Sequence, residues 1–228
     1  MSGRTATIIG ATGLIGSHLV ELMQTDSYYQ NVRLLVRRPI DPDNKRAEMK
    51  IVDFSDHDSF KIGIYNSDVV FCAVGATLNK VKGSKAAYRK VDYDIPVRAA
   101  QLCKETGCEN FILVSSVGAN SRSKNFYLQL KGEVEDAIKN SGIQSISVFR
   151  PSILLGDRKE KRLGESIGKA GMQLFTFAMI GKWQKYKAVH AREVAAAMLA
   201  ASKKPLTGFN VYEYRDIKEL ASTTNELR

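Results

Sequence analysis

The sequence has few cysteine and histidine residues. Its three cysteines, Cys72, Cys103 and Cys108, show no C-x-x-C spacing, which argues against a disulfide framework and against a structural zinc site. Its three histidines also lack the spacing of metal ligands, so we predict no metal site. Cys72 lies in an apolar run and is most simply interpreted as a small core residue.

Long apolar runs are also missing. The longest apolar stretches fall short of the length that crosses a membrane. The first residues, MSGRTATIIG, lead directly into a predicted strand and leave no room for the charged and apolar regions of a signal peptide. We therefore expect a cytoplasmic protein without a transmembrane segment.

Negative charge is scarce relative to positive charge. The chain has 34 Lys and Arg against 24 Asp and Glu, a formal net charge of +10, which suits an acidic partner such as a phosphorylated cofactor, a nucleic acid or an anionic membrane face. The basic residues are scattered, and their tightest cluster, at residues 158–162, is interrupted by Glu160. No zinc spacing, basic heptad helix or aromatic RNA-binding motif accompanies them, so nucleic acid is not a predicted partner.

Strand-like and helix-like segments alternate along the first two thirds of the chain. This alternation predicts an α/β fold with a doubly wound parallel sheet, the Rossmann fold. We expect one domain over residues 1–228, in which residues 151–228 contribute a small lobe on the substrate side. The predicted strands are residues 5–10, 32–36, 49–52, 68–74, 110–116, 144–149 and 209–212; the predicted helices are residues 14–24, 85–105, 125–140, 164–180 and 192–202.

A G-x-x-G-x-x-G motif lies between the first strand and the first helix. Glycines at this turn let the backbone approach a pyrophosphate, and the helix N-terminus offers it unpaired N–H groups. The order of strand, glycines and helix is the context that this motif requires. We therefore predict a dinucleotide site formed by Gly10, Thr12, Gly13, Leu14, Ile15 and Gly16.

The end of the second strand predicts which nicotinamide cofactor binds. NAD enzymes place an acid there for the ribose hydroxyl, whereas this strand ends in Arg37 and Arg38. Two guanidinium groups suit a 2′-phosphate, which favours NADP(H). Asp53, after the third strand, is placed to meet the adenine amino group or is a turn residue. Small residues end the fourth strand and leave room for the ribose: Ala73, Val74 and Gly75.

A tyrosine and a lysine form the predicted catalytic pair. Tyr127 and Lys131 are four residues apart and so share one face of a helix. The ammonium favours the phenolate and lowers the tyrosine pKa toward neutrality, and it could also bind the nicotinamide ribose. Ser115 and Ser116 end the preceding strand, where either hydroxyl could hold a substrate carbonyl.

Together these motifs resemble the short-chain dehydrogenase/reductase superfamily, in its atypical or extended branch. Residues 112–135 and 147–165 are similar to the HIV Tat-interacting protein 2 family. The resemblance implies Tyr127 as the acid–base, Lys131 as its partner and Ser116 as the serine that orients the substrate. It also implies that Pro151 and Ile153 pass beside the nicotinamide ring, and the family's name suggests a protein partner.

The sequence departs from the superfamily at one position. Many members have an asparagine in the long helix that completes a proton relay, whereas this chain reads Val91-Asp92-Tyr93-Asp94. The relay is therefore absent or uses Asp92.

We expect an NADP(H)-dependent oxidoreductase that acts on a small carbonyl or alcohol. Two alternatives stay open. One is a regulatory module that binds NADPH and a protein without turnover. The other is an enzyme resembling nucleoside-diphosphate-sugar epimerases, for whose larger C-terminal lobe this chain has little room.

Overall fold

The computed structural model describes residues 3–40, 46–76, 84–156 and 181–225, without the side chains of residues 181–183 and 224–225. Within these residues, seven parallel strands form one sheet in the order β3-β2-β1-β4-β5-β6-β9, and two short strands, β7 and β8, form a second sheet. The strands are β1 (Thr5–Ile9), β2 (Asn31–Val36), β3 (Ala47–Ile51), β4 (Val69–Cys72), β5 (Asn110–Val114), β6 (Ser145–Phe149), β7 (Leu154–Leu155), β8 (Val189–His190) and β9 (Gly208–Tyr212).

Helices cover both faces of the large sheet. They are α1 (Leu14–Leu22), α2 (His57–Ile64), α3 (Lys85–Arg89), α4 (Ile95–Thr106), α5 (Phe126–Lys139), α6 (Ala191–Lys203) and α7 (Tyr214–Asn225), with a π-helical segment (Lys90–Asp94) between α3 and α4 and a 3-10 helix (Gly181–Tyr186). The predicted doubly wound parallel sheet is confirmed. In the described residues, no helix is long and apolar enough to cross a membrane.

The core lies in two layers, one on each face of the sheet. Successive side chains of a strand point to opposite faces, so Ile8 joins a cluster with α1 and α6, while Ile9 joins a cluster with α2, α4 and α5. Both isoleucines are fully buried. This two-sided burial explains why the strands read as continuous apolar runs.

The C-terminal region contributes to the large sheet itself. Strand β9 pairs in parallel with β6, and Tyr212 stacks on Phe149 with ring centroids 4.8 Å apart. Only the small β7–β8 sheet stands apart from the large one within the described part of residues 151–228. The predicted helix at residues 164–180 and the basic cluster at 158–162 lie outside the described residues.

Several elements differ from the sequence prediction. The third strand begins at Ala47, two residues earlier than predicted, because Ala47 pairs with Val32. The predicted helix over residues 85–105 is interrupted by the π-helical segment. Helices α2 and α7 and the β7–β8 sheet were not predicted. The sequence did contain a signal for α2, because aspartate is a preferred N-cap residue. In the structure the Asp56 side chain caps this helix by accepting a hydrogen bond from the Ser59 N–H.

Candidate cofactor and active site

The glycine motif forms a tight turn against the end of β4. Gly10 has a φ of +89°, which only glycine adopts without strain. A Cβ there would lie 2.7 Å from the Ala73 carbonyl, and a Cβ on Gly16 would lie 2.1 Å from the Gly10 oxygen. The absent side chains therefore let the turn, the β4 end and α1 pack backbone against backbone.

The N-terminus of α1 opens at this turn without a capping side chain. Gly13 is the N-cap residue, and the first turn carries no acidic residue. Ile15 is 5% exposed and packs into the core, whereas Leu14 is half-buried and Thr12 is exposed. Leu14 and Ile15 would therefore meet an anion through backbone N–H groups, which the helix dipole makes favourable.

The other predicted cofactor residues also follow the carboxyl ends of strands in the large sheet, as the glycine turn follows β1. Arg37 and Arg38 follow β2 and are exposed, and neither makes a hydrogen bond or ion pair within the described residues. Asp53 follows β3, and its carboxylate accepts hydrogen bonds from the Ser55 N–H (2.8 Å) and hydroxyl (2.6 Å). These bonds lower the Asp53 pKa and show that it is at least a turn residue.

The end of β4 combines small and partly covered residues. Ala73 and Val74 are half-buried and Gly75 is exposed. Because all strands of the sheet are parallel, the residues that follow β1, β2, β3, β4, β5 and β6 meet at one edge, where ligands of such sheets bind.

The predicted catalytic pair lies on the first turns of α5. The Asn125 side chain caps this helix by accepting hydrogen bonds from the N–H groups of Tyr127 and Leu128. Tyr127 is 40% exposed, whereas Lys131 is 5% exposed. The Lys131 ammonium lies 5.9 Å from the centroid of the Tyr127 ring, so the exposed phenol has a buried cation beside it.

A buried carboxylate accompanies this lysine. The Lys131 Nζ lies 3.1 Å from Asp92 Oδ1, and Asp92 is 1% exposed. Burial alone lowers the pKa of Lys131, but the attraction of Asp92 and Tyr127 outweighs it, and the pKa is raised. The ammonium therefore stays charged although it is almost fully buried.

The two neighbouring serines have different environments. The Ser115 hydroxyl donates to the Glu135 carboxylate, which also accepts hydrogen bonds from the Arg150 guanidinium. Ser116 is half-buried, and its hydroxyl makes one long contact, 3.4 Å, with the Val117 carbonyl. Ser115 is thus engaged in the protein interior, and Ser116 has the hydroxyl that is available to a ligand.

Glu135 and its pairing with Arg150 were not predicted from the sequence. Glu135 is 3% exposed, and with Arg150 it connects α5 to the ends of β5 and β6. A sequence signal did exist, because Glu135 lies four residues after Lys131 and between the apolar Val134 and Ile138, so it falls on the buried side of the helix.

The chain after β6 passes close to the serines. Pro151 is buried, and its carbonyl accepts a hydrogen bond of 3.0 Å from the Val117 N–H. Ile153 is 40% exposed. The ends of β5 and β6 are therefore joined, as a shared site would require.

The parallel sheet, the glycine turn and the uncapped helix define a dinucleotide-binding protein with a Rossmann fold. A comparison with protein families agrees, since the family described as NAD(P)H-binding matches residues 10–205. The chain belongs to this NAD(P)H-binding family.

Relatives of known name cover nearly the whole chain. Protein FMP52, mitochondrial, of Candida albicans is 34% identical over 213 residues, covering 88% of this chain and 89% of the relative. Protein HTATIP2 of Rattus norvegicus is 32% identical over 211 residues, covering 91% of this chain and 85% of the relative. The resemblance to the HIV Tat-interacting protein 2 family is confirmed.

Solved structures share the fold at low sequence identity. The UDP-glucose 4-epimerase of Thermus thermophilus, in complex with NAD, has a TM-score of 0.70 at 16% identity, covering 98% of this chain and 83% of that chain. The uronate dehydrogenase of Agrobacterium tumefaciens has a TM-score of 0.68 at 14% identity, covering 92% of this chain and 76% of that chain.

The predicted cytoplasmic location is wrong. The related proteins of Candida albicans, Candida glabrata and Debaryomyces hansenii are all named as mitochondrial. The expectation was based on the lack of a recognisable signal peptide, a feature that speaks about secretion and does not distinguish the cytoplasm from an organelle.

Proposed function

We propose that the protein is an NADP(H)-dependent oxidoreductase of the short-chain dehydrogenase/reductase type, which acts on a small carbonyl or alcohol substrate. The observation that carries this proposal is the buried ammonium of Lys131 beside the exposed ring of Tyr127. The pair lies at the same sheet edge as the glycine turn, so a proton donor and a dinucleotide would share one crevice.

The residues at this edge fit the cofactor. The close backbone packing that Gly10 and Gly16 permit brings the N-terminus of α1 to the end of β1, where its unpaired N–H groups suit a pyrophosphate. Arg37 and Arg38 would bind the 2′-phosphate, and Asp53 would face the adenine. The small residues at the β4 end, with Pro151 and Ile153, would border the ribose and the nicotinamide. When bound, the cofactor supplies or accepts a hydride.

The side chains of α5 and the β5 end would handle the substrate. Ser116 would donate a hydrogen bond to the substrate oxygen, and Tyr127 would give a proton to that oxygen in reduction or take it in oxidation. Lys131 would place its charge beside the Tyr127 ring and would hydrogen-bond the nicotinamide ribose.

The cofactor proposal is tested by titrating the protein with NADPH and, separately, with NADH while following nicotinamide fluorescence. We expect Arg37→Ala and Arg38→Ala to weaken NADPH binding by about tenfold each, because each loses a charge-assisted bond to the phosphate. NADH affinity should stay unchanged. Arg215→Ala, which removes an exposed arginine from α7, is the matched control.

Turnover is tested next with a panel of aldehydes and ketones, comparing the wild type with Tyr127→Phe. Loss of NADPH oxidation in the variant supports the enzyme. If NADPH binds tightly but no carbonyl is reduced, the regulatory module becomes the better description. If neither nucleotide binds, the glycine turn has only a structural role and the proposal fails.

The names of the relatives also support a mitochondrial location for this protein. Fractionation of cells that express a tagged chain tests this, and a signal confined to the soluble cytosolic fraction would contradict it.

A further inference from the structure

Asp92 has a buried carboxylate in an unusual backbone segment. It is 1% exposed and lies in the π-helical segment between α3 and α4. Burying a carboxylate is costly unless it is paired and hydrogen-bonded, and π-helical turns occur frequently at functional sites. The partners of Asp92 therefore indicate what the carboxylate does.

Each oxygen of this carboxylate has its own partner. Oδ1 lies 3.1 Å from the Lys131 Nζ on α5, and Oδ2 accepts a hydrogen bond of 2.7 Å from the Ala76 N–H. Ala76 ends the short segment of residues 73–76 that follows β4. One side chain thus joins the predicted catalytic lysine to the predicted cofactor segment.

Resting on the proposed function, we propose that Asp92 is a positioning residue that fixes the Lys131 ammonium and residues 73–76 relative to each other for the nicotinamide half of the cofactor. Asp92 itself touches neither substrate nor cofactor. An ammonium has three donors, and Asp92 takes one of them, so the others stay available to ribose hydroxyls.

A carboxylate is required for this arrangement, and an amide cannot replace it. Both partners of Asp92 are donors, and both carboxylate oxygens accept. In Asp92→Asn the amide oxygen can accept from only one side, and the NH₂ group faces the other donor. The variant has nearly the same shape, so it removes the negative charge and one of the two bonds while the volume is kept.

The charge on Lys131 depends on this pair. The groups that face the ammonium are Asp92 from the π-helical segment, Tyr127 from its own helix and the Cys72 thiol from β4. Burial acts to lower the pKa of Lys131, and the Asp92 carboxylate is the largest opposing influence. Without that carboxylate the lysine should lose its proton at a lower pH, and its hydrogen bonds to the ribose should weaken there.

The experiment compares two ligands across pH. NADPH contains the nicotinamide ribose, whereas adenosine 2′,5′-bisphosphate contains only the adenosine end. As the pH rises from about 7 to about 9.5, we expect the NADPH affinity of Asp92→Asn to fall about tenfold relative to that of the wild type. A tenfold loss corresponds to one charge-assisted hydrogen bond. The affinity of this variant for adenosine 2′,5′-bisphosphate should stay within about twofold of the wild type. Asp94→Asn, at an exposed position of the same segment, should match the wild type with both ligands.

Each outcome decides something. An Asp92→Asn protein that binds NADPH like the wild type at every pH overturns the inference about Asp92 but not the proposed function. Equal loss of both ligands also overturns it, because the role is then structural. A wild type that does not bind NADPH overturns the proposed function as well. If Asp92→Asn does not fold, the double variant Asp92→Asn/Lys131→Met is measured: recovered folding supports the pairing, and continued failure overturns it.

Discussion

At the scale of single residues, one hydrogen bond distinguishes the roles of two adjacent serines. Ser115 donates to the buried Glu135, while Ser116 makes only a long contact with a backbone carbonyl. The sequence alone left the choice between them open, because both end the same strand. The distinction depends on Glu135, which is twenty residues away along the chain and reaches the serine only through the packing of α5.

The two serines should therefore respond differently to the same substitution. Ser115→Ala leaves Glu135 with one hydrogen bond fewer, and we expect a loss of about 1–2 kcal/mol in the free energy of unfolding. Ser116→Ala should change stability by less than about 0.5 kcal/mol but should abolish carbonyl reduction. Urea denaturation and NADPH oxidation measure the two effects. The reverse pattern would assign the substrate-binding hydroxyl to Ser115.

The candidate site residues that the sequence alone predicts are those that lie close to one another along the chain. The glycines follow each other within one turn, and Tyr127 and Lys131 are one helical turn apart, so no knowledge of the tertiary fold is needed. Asp92 was noticed only as a departure from a family pattern, and its contact with Lys131 required the structure. Its partners come from two other segments, and no single-sequence pattern encodes such a pairing.

At the scale of elements, α5 lies directly against the loop that precedes it. A Cβ on Gly132 would lie 2.1 Å from the Ser121 nitrogen and 2.2 Å from the Asn120 carbonyl carbon. The Asn120 N–H also donates to the Leu128 carbonyl at 3.0 Å. This close backbone contact sets the position of the helix that carries Tyr127 and Lys131.

Gly132→Ala should destabilise the protein although alanine is the better helix former. Helix propensity alone predicts a gain of about 1 kcal/mol, whereas the clash with backbone atoms predicts a loss of about 1–3 kcal/mol. Gly63→Ala in α2 is the matched control, since the nearest neighbours of its Cβ would be the ends of the Leu35 and Val52 side chains, at 3.1–3.2 Å, and not backbone atoms. We expect that variant to be near neutral by urea denaturation. A stabilised Gly132→Ala protein would show that α5 can move away from the loop.

Sequence patterns predicted most elements but not their irregularities. The helix before β5 was predicted as continuous, because its apolar pattern does not reveal a π-helical insertion. That insertion carries Asp92, so the missed irregularity is also the part of the helix that reaches the candidate active site. Helix α2 is only eight residues long and contains Gly63, which weakens its apolar periodicity.

At the scale of the whole molecule, the order of the strands decides where the site lies. Strands β1 and β4 are neighbours at the centre of the sheet, and the chain runs outward from them in opposite directions. The crevice at such a switch point is where ligands bind in open α/β sheets. The alternation of strands and helices predicted the parallel sheet, but the position of β9 beside β6 depends on the crossover through α6, which the sequence does not specify.

The same two-layer burial makes the stability of the whole molecule depend on pH in the alkaline range. Cys72 is fully buried in the centre of the sheet, and burial raises the pKa of its thiol from 9.0 to about 12. The unfolded chain therefore releases this proton first as the pH rises. The contribution to stability is complete below about pH 9 and is lost progressively as the pH rises toward about 12.

Cys72→Ala should remove this dependence. At neutral pH the variant loses stability because its side chain leaves a small cavity, but the difference from the wild type should shrink by about 1 kcal/mol between about pH 8 and about pH 10, where only the wild type has this thiol to ionise on unfolding. Val70→Ala, in the same strand and core layer, creates a cavity without a titratable group, so its difference from the wild type should stay constant. Urea denaturation at several pH values measures both. A difference that stays constant for Cys72→Ala as well would contradict this prediction, because it would mean that the thiol ionises equally in the folded and unfolded chains.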